Sequence, residues 1–270
     1  MLLQPIPGAF VLILCAIFGL MSSITCQQPT YNYHFCTGQR NDTATNNYIS
    51  NLDSALDSLT SKASSNSFYN ESSDGIYSLF LCRGDVSTAV CQNCVKNASE
   101  DIRERCSTNK SAVIWYDECM LHYSNINFFG VAETSPRFFM YNIQNNSLPD
   151  EPNYGALSII YSLVESAPNI DMKFDTDDRN VNGLQRGYAL AQCTRDINNS
   201  SCRSCLGKLT DNIQSCCQGK KGWRISTPNC YLRYEEYLFY QQPPPPSPPH
   251  PPPPPPLVPV APQPTPIDEG

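Results

Sequence analysis

Five cysteines of this chain recur at one fixed displacement. Cys82, Cys91, Cys94, Cys106 and Cys119 are followed by Cys193, Cys202, Cys205, Cys217 and Cys230, each 111 positions further on. Five coincidences at a single offset are the signature of a tandem duplication. Tyr77/Tyr188, Asp85/Asp196, Ile102/Ile213, Ile114/Ile225, Leu121/Leu232, Tyr123/Tyr234 and Phe128/Phe239 keep the same displacement. The first copy runs from about Tyr31 to Glu133 and the second from about Ser135 to Tyr240. A unit of roughly 105 residues buries one small core, so covalent staples are the expected supplement.

The coarse structure repeats with the cysteines. Leu52, Ala55, Leu56 and Leu59 fall at i, i+3, i+4, i+7 and predict an amphipathic helix, with Leu157, Ile160, Tyr161 and Val164 as the counterpart. A second helix carries Cys91, Cys94, Val95, Ala98 and Ile102 on one face, matched by Cys202, Cys205, Leu206, Leu209 and Ile213. The C-x2-C spacing sets both sulfurs on one core-facing stripe. Ile76–Cys82 and Tyr188–Cys193 read as strands ahead of that helix. Ala112–Tyr116, Cys119–Ser124, Gly222–Ser226 and Cys230–Glu235 read as strands behind it. Helices mixed with hairpin-like strands in so short a unit predict the α+β class, two tandem domains each with an antiparallel sheet packed by helices.

The meaning of the thiols depends on compartment, which the N-terminus sets. Ala9–Met21 is a 13-residue apolar run, shorter than the about 20 residues a bilayer span needs. It fits the hydrophobic region of a secretory signal peptide over residues 1–26, although the segment before it lacks Lys and Arg. Cleavage after Cys26 removes Cys15 and Cys26 and leaves twelve cysteines. Sequons at Asn41, Asn70, Asn97, Asn109, Asn145, Asn198 and Asn199 agree with a glycosylated, oxidising route. No later stretch reaches 18 apolar residues, so no membrane span is expected in this chain.

Each repeat therefore reads as a disulfide scaffold, C-x8-C-x2-C-x11-C-x12-C. Cys91, Cys94, Cys106 and Cys119 can be written as a zinc site, but a secreted chain in which Cys82 repeats as well favours disulfides, so no metal and no cofactor is expected. A net charge of −7 argues against nucleic acid as a partner. His34 and His122 are the histidines outside the tail, and neither sits in a nucleophile or metal motif. His122 matches Arg233 in the repeat, which reads as an exposed strand face. A stapled, duplicated small domain is more often a binding module than an enzyme, so no catalysis is expected. Tyr231, Arg233, Glu235 and Tyr237 alternate along one strand face, which can stack on sugar rings, meet a protein, or pack the two domains together.

The stretches IYSLFLCRGDVSTAVCQNC, YDECMLHYSN, LAQCTRDINNSSCRSCL and NCYLRYEEYLFY resemble the plant ginkbilobin-type cysteine-rich domain over roughly residues 30–240. Two such domains after a leader resemble cysteine-rich repeat secretory proteins and the ectodomains of cysteine-rich receptor-like kinases. The resemblance implies about five antiparallel strands and two helices per domain. It also implies the pairs Cys36–Cys106, Cys82–Cys91 and Cys94–Cys119, then Cys193–Cys202 and Cys205–Cys230. Cys36 has Ser147 at its offset, while Cys216 stands beside Cys217. With Cys36 on Cys106, the adjacent pair is expected either as a vicinal disulfide, strained and easily reduced, or as two free thiols.

The resemblance also marks mannose-contacting positions. In the first domain they hold Thr37, Val113 and Ser124, so no sugar site transfers. In the second, Arg224 and Glu235 occupy two of them and the third falls near Leu148. Arg224 and Glu235 read either as a sugar-contacting pair or, preferably, as a surface ion pair across adjacent strands. From Pro243 to Pro266 sixteen of the 24 prolines form a tail that predicts a disordered, extended polyproline II spacer. The domain limits are thus 1–26, 27–134, 135–241 and 242–270. The expected function is a secreted, apoplastic, non-enzymatic binding protein of plant defence or stress signalling, recognising a cell-wall or microbial carbohydrate or a receptor-like kinase ectodomain. Alternatives are a truncated ectodomain of such a kinase, an antifungal mannose-binding lectin, and a redox sensor acting through Cys216 and Cys217.

Overall fold

Alternating side chains on the inner strands organise each repeat. The computed structural model describes residues 28–37, 43–145, 154–181 and 185–242. The first repeat forms strands β1 (Tyr31–Thr37), β2 (Phe68–Ser73), β3 (Ile76–Cys82), β4 (Ser111–Tyr116) and β5 (Cys119–Ser124) with helices α1 (Asn46–Lys62) and α2 (Thr88–Arg105). The second forms β6 (Phe138–Tyr141), β7 (Phe174–Asn180), β8 (Arg186–Cys193), β9 (Gly222–Ser226) and β10 (Cys230–Glu235) with α3 (Tyr154–Ser166), α4 (Asn199–Thr210) and the short α5 (Ile213–Cys216). Both sheets are antiparallel and share one order, β1-β4-β5-β3-β2 and β6-β9-β10-β8-β7. The α+β reading with one five-stranded sheet per repeat matches this architecture. The leader, Asn41, Ser147, Leu148 and the tail from Pro243 onward lie outside the described residues.

Local chemistry starts the helices and cysteines bind them to the sheets. Thr45, Ser87 and Asn198 accept side-chain cap bonds from the backbone N–H groups of Tyr48, Val90 and Ser201. Cys82–Cys91 and Cys193–Cys202 tie the first turn of the second helix to the end of β3 or β8. Cys94–Cys119 and Cys205–Cys230 tie the next turn to the start of β5 or β10. One helical stripe is thus stapled twice, at positions three residues apart on successive turns.

Two readings of the pattern are corrected. The buried stripe of α3 is Ala156, Ile159, Ile160, Leu163 and Val164, not the register through Leu157 and Tyr161. Both registers satisfy the i, i+3, i+4, i+7 template, but the observed one buries Ile159 and Leu163 and leaves the Tyr161 hydroxyl in water. The helix matching α2 is also broken, ending at Thr210 and resuming at Ile213, although Ile213 is still buried.

β5 and β10 are buried along nearly their whole length, which requires cover on both faces. One face of the first sheet carries Phe80, Ile114, Leu121 and Tyr123 and packs on α1 and α2. The other carries Leu79, Leu81, Val113, Trp115 and Met120 and faces the second sheet. There the equivalent positions hold Leu190, Gln192, Arg224, Ser226 and Tyr231. Trp115 Nε1 donates to Thr227 O at 3.2 Å, and Gln192 Nε2 donates to Cys82 O at 3.0 Å. The two repeats therefore meet through the faces their own helices leave uncovered, apolar on one side and polar on the other.

The exposed face expected for His122 and Arg233 is corrected by this packing, since both are buried. Each repeat folds its matched phenylalanine back over that position. His122 stacks on Phe128 with centroids 3.9 Å apart, and the Arg233 guanidinium lies 4.1 Å from the Phe239 ring centre. Burial pushes the His122 imidazole down to about 3. A depressed imidazole leaves stability intact above its ordinary pKa of 6.5 and removes it as pH falls from there toward 3. At pH 5 the deficit from this one group is about 2 kcal/mol. Urea denaturation at pH 7 and pH 5 is expected to show His122→Leu gaining about that much on the native protein over the interval. Parallel pH profiles for the two proteins would refute the assignment. Burial raises the carboxyls of Glu118, Glu133 and Glu235, which stabilises on acidification, but equally in both proteins.

Candidate functional site

The seam between the sheets concentrates the charge that the cores exclude. Strand pairing sets Arg224 of β9 directly opposite Arg233 of β10. Two like charges so placed need carboxylates. Asp117, in the β4–β5 turn of the first repeat, supplies one and bonds both Arg224 and, at 3.3 Å, Arg233. Glu235 supplies the other, accepting from Arg233 Nε at 2.9 Å and lying 3.7 Å from Arg224 Nη2. Its carboxylate presses against β9 where the chain is glycine; a Cβ on Gly222 would stand 1.8 Å from Glu235 Oε2. Burial lifts the Glu235 carboxyl above its ordinary range, and Arg233 and Arg224 offset this only in part. A second clamp lies beside it. Arg83 bonds Asp85 through Nε at 2.6 Å and Nη2 at 2.9 Å, and Asp85 accepts from the Gln241 backbone N–H of the second repeat. Burial would lower the Arg83 pKa, but the Asp85 hydrogen bond and charge raise it.

Arg224 and Glu235 are therefore neighbours, as expected, but the surface ion pair is corrected to a buried one. Their side chains are 13% and 7% exposed, and Arg224 also donates to Asn32 Oδ1 of the first repeat at 3.1 Å. Arg224 directs its hydrogen bonds at Asn32 and Asp117 of the other domain, whereas Glu235 accepts from Arg233 of its own. Of the three uses open to the face through Tyr231, Arg233 and Glu235, the observed one is packing between domains. In the first repeat Val113 and Ser124 are likewise buried at the seam side of the sheet, and Thr37 donates to Ser111 O within β1–β4.

The twelve cysteines of the described residues form six disulfides, among them Cys36–Cys106 and the adjacent pair Cys216–Cys217. Cys91, Cys94, Cys106 and Cys119 are distributed over three different bonds. Among the described residues His34, Cys36 and Cys106 come close enough to share an ion, but the cysteines are bonded to each other and offer no thiolate. Of the sequon asparagines, Asn145, Asn198 and Asn199 are exposed, while Asn70, Asn97 and Asn109 are half-buried. The Asn199 side-chain oxygen also accepts from Lys173 Nζ.

What the seam does leave open is a strip along one side. β1 and β6 are the edge strands of their sheets, and they meet where Tyr33 stacks on Phe138 at 5.7 Å. Phe139, Met140, Tyr141 and Ile143 continue the strip in solvent, with Tyr141 53% and Ile143 89% exposed. Met140, Tyr141 and Tyr237 border a shallow groove of about 210 Å³ above Arg224 and Glu235. Nothing in the sequence pattern marked this strip: Phe139, Met140 and Tyr141 are consecutive and Ile143 follows Asn142, and so short an apolar run carries no sign of its own exposure. Among the described residues no helix is long and apolar enough to cross a membrane.

A family model described as salt stress response/antifungal matches residues 35–126 and again 144–237. An antimicrobial ginkbilobin-2-like protein of Castanea crenata is 36% identical over 223 residues, 81% of this chain and 92% of that protein. Cysteine-rich repeat secretory protein 38 of Arabidopsis thaliana is 34% identical, covering 79% of this chain and 87% of its own length. Cysteine-rich receptor-like protein kinase 25 of the same plant is 35% identical over 84% of this chain, which spans only 35% of the kinase. Among solved structures, the tandem DUF26 ectodomain of the Arabidopsis thaliana cysteine-rich receptor-like protein PDLP8 superposes with a TM-score of 0.63 at 22% identity, covering 76% of this chain and 98% of that one. That likeness is one of fold.

Proposed function

Because the chain belongs to the salt stress response/antifungal family and carries its domain twice, we propose that it is a secreted, non-enzymatic recognition protein of plant defence or stress signalling, working in the apoplast by binding a cell-surface protein. The limits 27–134 and 135–241 are the proposed domains, each holding one complete sheet. The partner we favour is a tandem ectodomain of the same fold, as the cysteine-rich receptor-like kinases among its relatives would present. The observation that carries this reading is the edge strip of β6. A short edge strand with unpaired backbone groups and outward Phe139, Met140 and Tyr141 suits strand addition by a partner, in which main-chain bonds give affinity and the aromatic side chains give specificity.

The mannose-lectin alternative is less well supported, since Arg224 and Glu235 are engaged with Arg233 and Asp117. Biolayer interferometry against immobilised tandem ectodomains of cysteine-rich receptor-like kinases tests the proposal. Tyr141→Lys combined with Met140→Glu is expected to weaken binding at least tenfold, with denaturation unchanged because both side chains are exposed. Binding that survives both charges on the edge would remove β6 from consideration.

A further inference from the structure

The two repeats differ at one place in a way that opens room for a ligand. In the first, Arg103 of α2 bridges to α1, its Nε 3.0 Å from Asp53 Oδ1 and its Nη2 2.5 Å from Asp57 Oδ1. Setting the buried stripe Leu52, Ala55, Leu56 and Leu59 on Ala156, Ile159, Ile160 and Leu163 places Leu157 and Tyr161 where the two aspartates stand. The 111-residue displacement places Gln214 where Arg103 stands. The second repeat thus lacks the ion pair that closes the gap between the helices. Two more differences act in the same sense. α2 runs unbroken to Arg105, whereas its counterpart breaks between Thr210 and Ile213. Cys106 is tied to β1 through Cys36, whereas Cys217 turns away to its neighbour Cys216.

The result is a pocket of about 420 Å³ on the helical side of the second sheet, away from the seam. We propose that it binds a neutral saccharide of one or two pyranose rings. Its volume lies within the range of about 300–1,000 Å³ of small-molecule sites. Tyr161, 53% exposed at the pocket wall, offers a flat aromatic face for the apolar side of a sugar ring. Thr210, Asp211, Gln214 and Gln218 surround it with directional donors and acceptors for hydroxyls. Among the described residues no Lys, Arg or His lines the pocket, so none of them neutralises an anion there and Asp211 repels one. A purely apolar ligand would strip water from those four polar groups without replacing their hydrogen bonds.

The pocket shares Trp223 with the groove beside the protein-binding edge, but Tyr161 and Gln214 lie outside that groove and Met140 and Tyr141 outside the pocket, so the experiment keeps the two apart. Saturation-transfer NMR and calorimetry with the full chain would use mannotriose, cellotriose and N,N'-diacetylchitobiose, with digalacturonic acid as the anionic control. At least one neutral probe is expected to bind and the anion to fail. Tyr161→Ala is expected to weaken the bound probe at least tenfold. So is the pair Tyr161→Asp with Gln214→Arg, which rebuilds part of the ion pair that closes the first repeat; both positions are exposed, so folding is preserved. The Tyr141→Lys, Met140→Glu protein should bind the sugar as the native chain does, even if it loses its protein partner. Failure of every neutral probe at millimolar concentration, preference for the anion, or native affinity in both Tyr161 proteins would overturn the proposal.

Discussion

Asp117→Ala should destabilise the protein by about 3 kcal/mol, far more than removal of one exposed carboxylate. Asp117 comes from the first repeat, and both guanidiniums it bonds, on Arg224 and Arg233, come from the second. Arg233 is only 4% exposed at its side chain and Arg224 only 13%. Without the aspartate, two arginines paired side by side on β9 and β10 share the single carboxylate of Glu235. Breaking a buried pair by deleting one member costs about 3–5 kcal/mol, because the remaining charge is left desolvated and uncompensated. Asp117→Asn keeps one of the two accepting oxygens but puts an amide N–H2, which cannot accept, before the second guanidinium, so it should fall between the native protein and Asp117→Ala. Urea denaturation with and without 0.5 M sodium chloride separates the buried case from the surface one, because salt screens exposed pairs and leaves buried ones nearly unchanged. A loss under about 1 kcal/mol that disappears in salt would return the cluster to the status of a surface ion pair.

The cysteine displacement made the inner half of each domain legible. C-x2-C fixed a helical stripe, and the apolar runs around Cys82, Cys119, Cys193 and Cys230 fixed the strands it is stapled to, because those segments pair on both edges and bury side chains. The edge strands were harder. β7 reads FDTDDRN and β2 reads FYNESS, and neither shows strand-like alternation of apolar residues. Pairing with β8 and β3 holds them extended, a tertiary effect that outweighs local preference. The seam was half visible. SAVIWY and CMLHYS lack the polar alternation of a one-sided sheet, which is the mark of cover on both faces. Their counterparts GWRIS and CYLRYE carry arginines and a glutamate that read as solvent-facing until the carboxylate of Asp117 is brought in from a different domain. The resemblance could pair Arg224 with Glu235 but could not supply the partners that bury them. Tyr161 was read into the core for a similar reason: one helical period accommodates two registers, and only packing against β8 chooses between them.

Trp115→Ala carries the other large expected effect, about 3–5 kcal/mol, as for a buried aromatic truncated in a core. Trp115 is buried although it belongs to neither helix-covered core. Its ring packs at 5.1 Å from Phe138 of the second repeat and at 6.2 Å, edge on, from Phe35. Its 111-residue counterpart is Ser226, which lines the same interdomain cleft. The duplication thus placed a large side chain on one sheet opposite a small one on the other, which lets two otherwise equivalent faces interlock. The cleft beside the indole holds only about 40 Å³, and truncation would enlarge it into a void the surrounding strands, hydrogen-bonded on both edges, cannot collapse to fill. Trp115→Phe should lose far less, chiefly the 3.2 Å bond to Thr227 O, a net of about 1 kcal/mol. Each repeat holds one tryptophan, Trp115 and Trp223, so in Trp115→Ala the emission reports the second repeat alone while circular dichroism reports both. If the indole couples the repeats, the two signals separate into distinct transitions in the alanine protein and coincide in the native one. Coincident transitions with a loss under about 1 kcal/mol would mean that the charged clamp at Asp117, and not the indole, holds the sheets together.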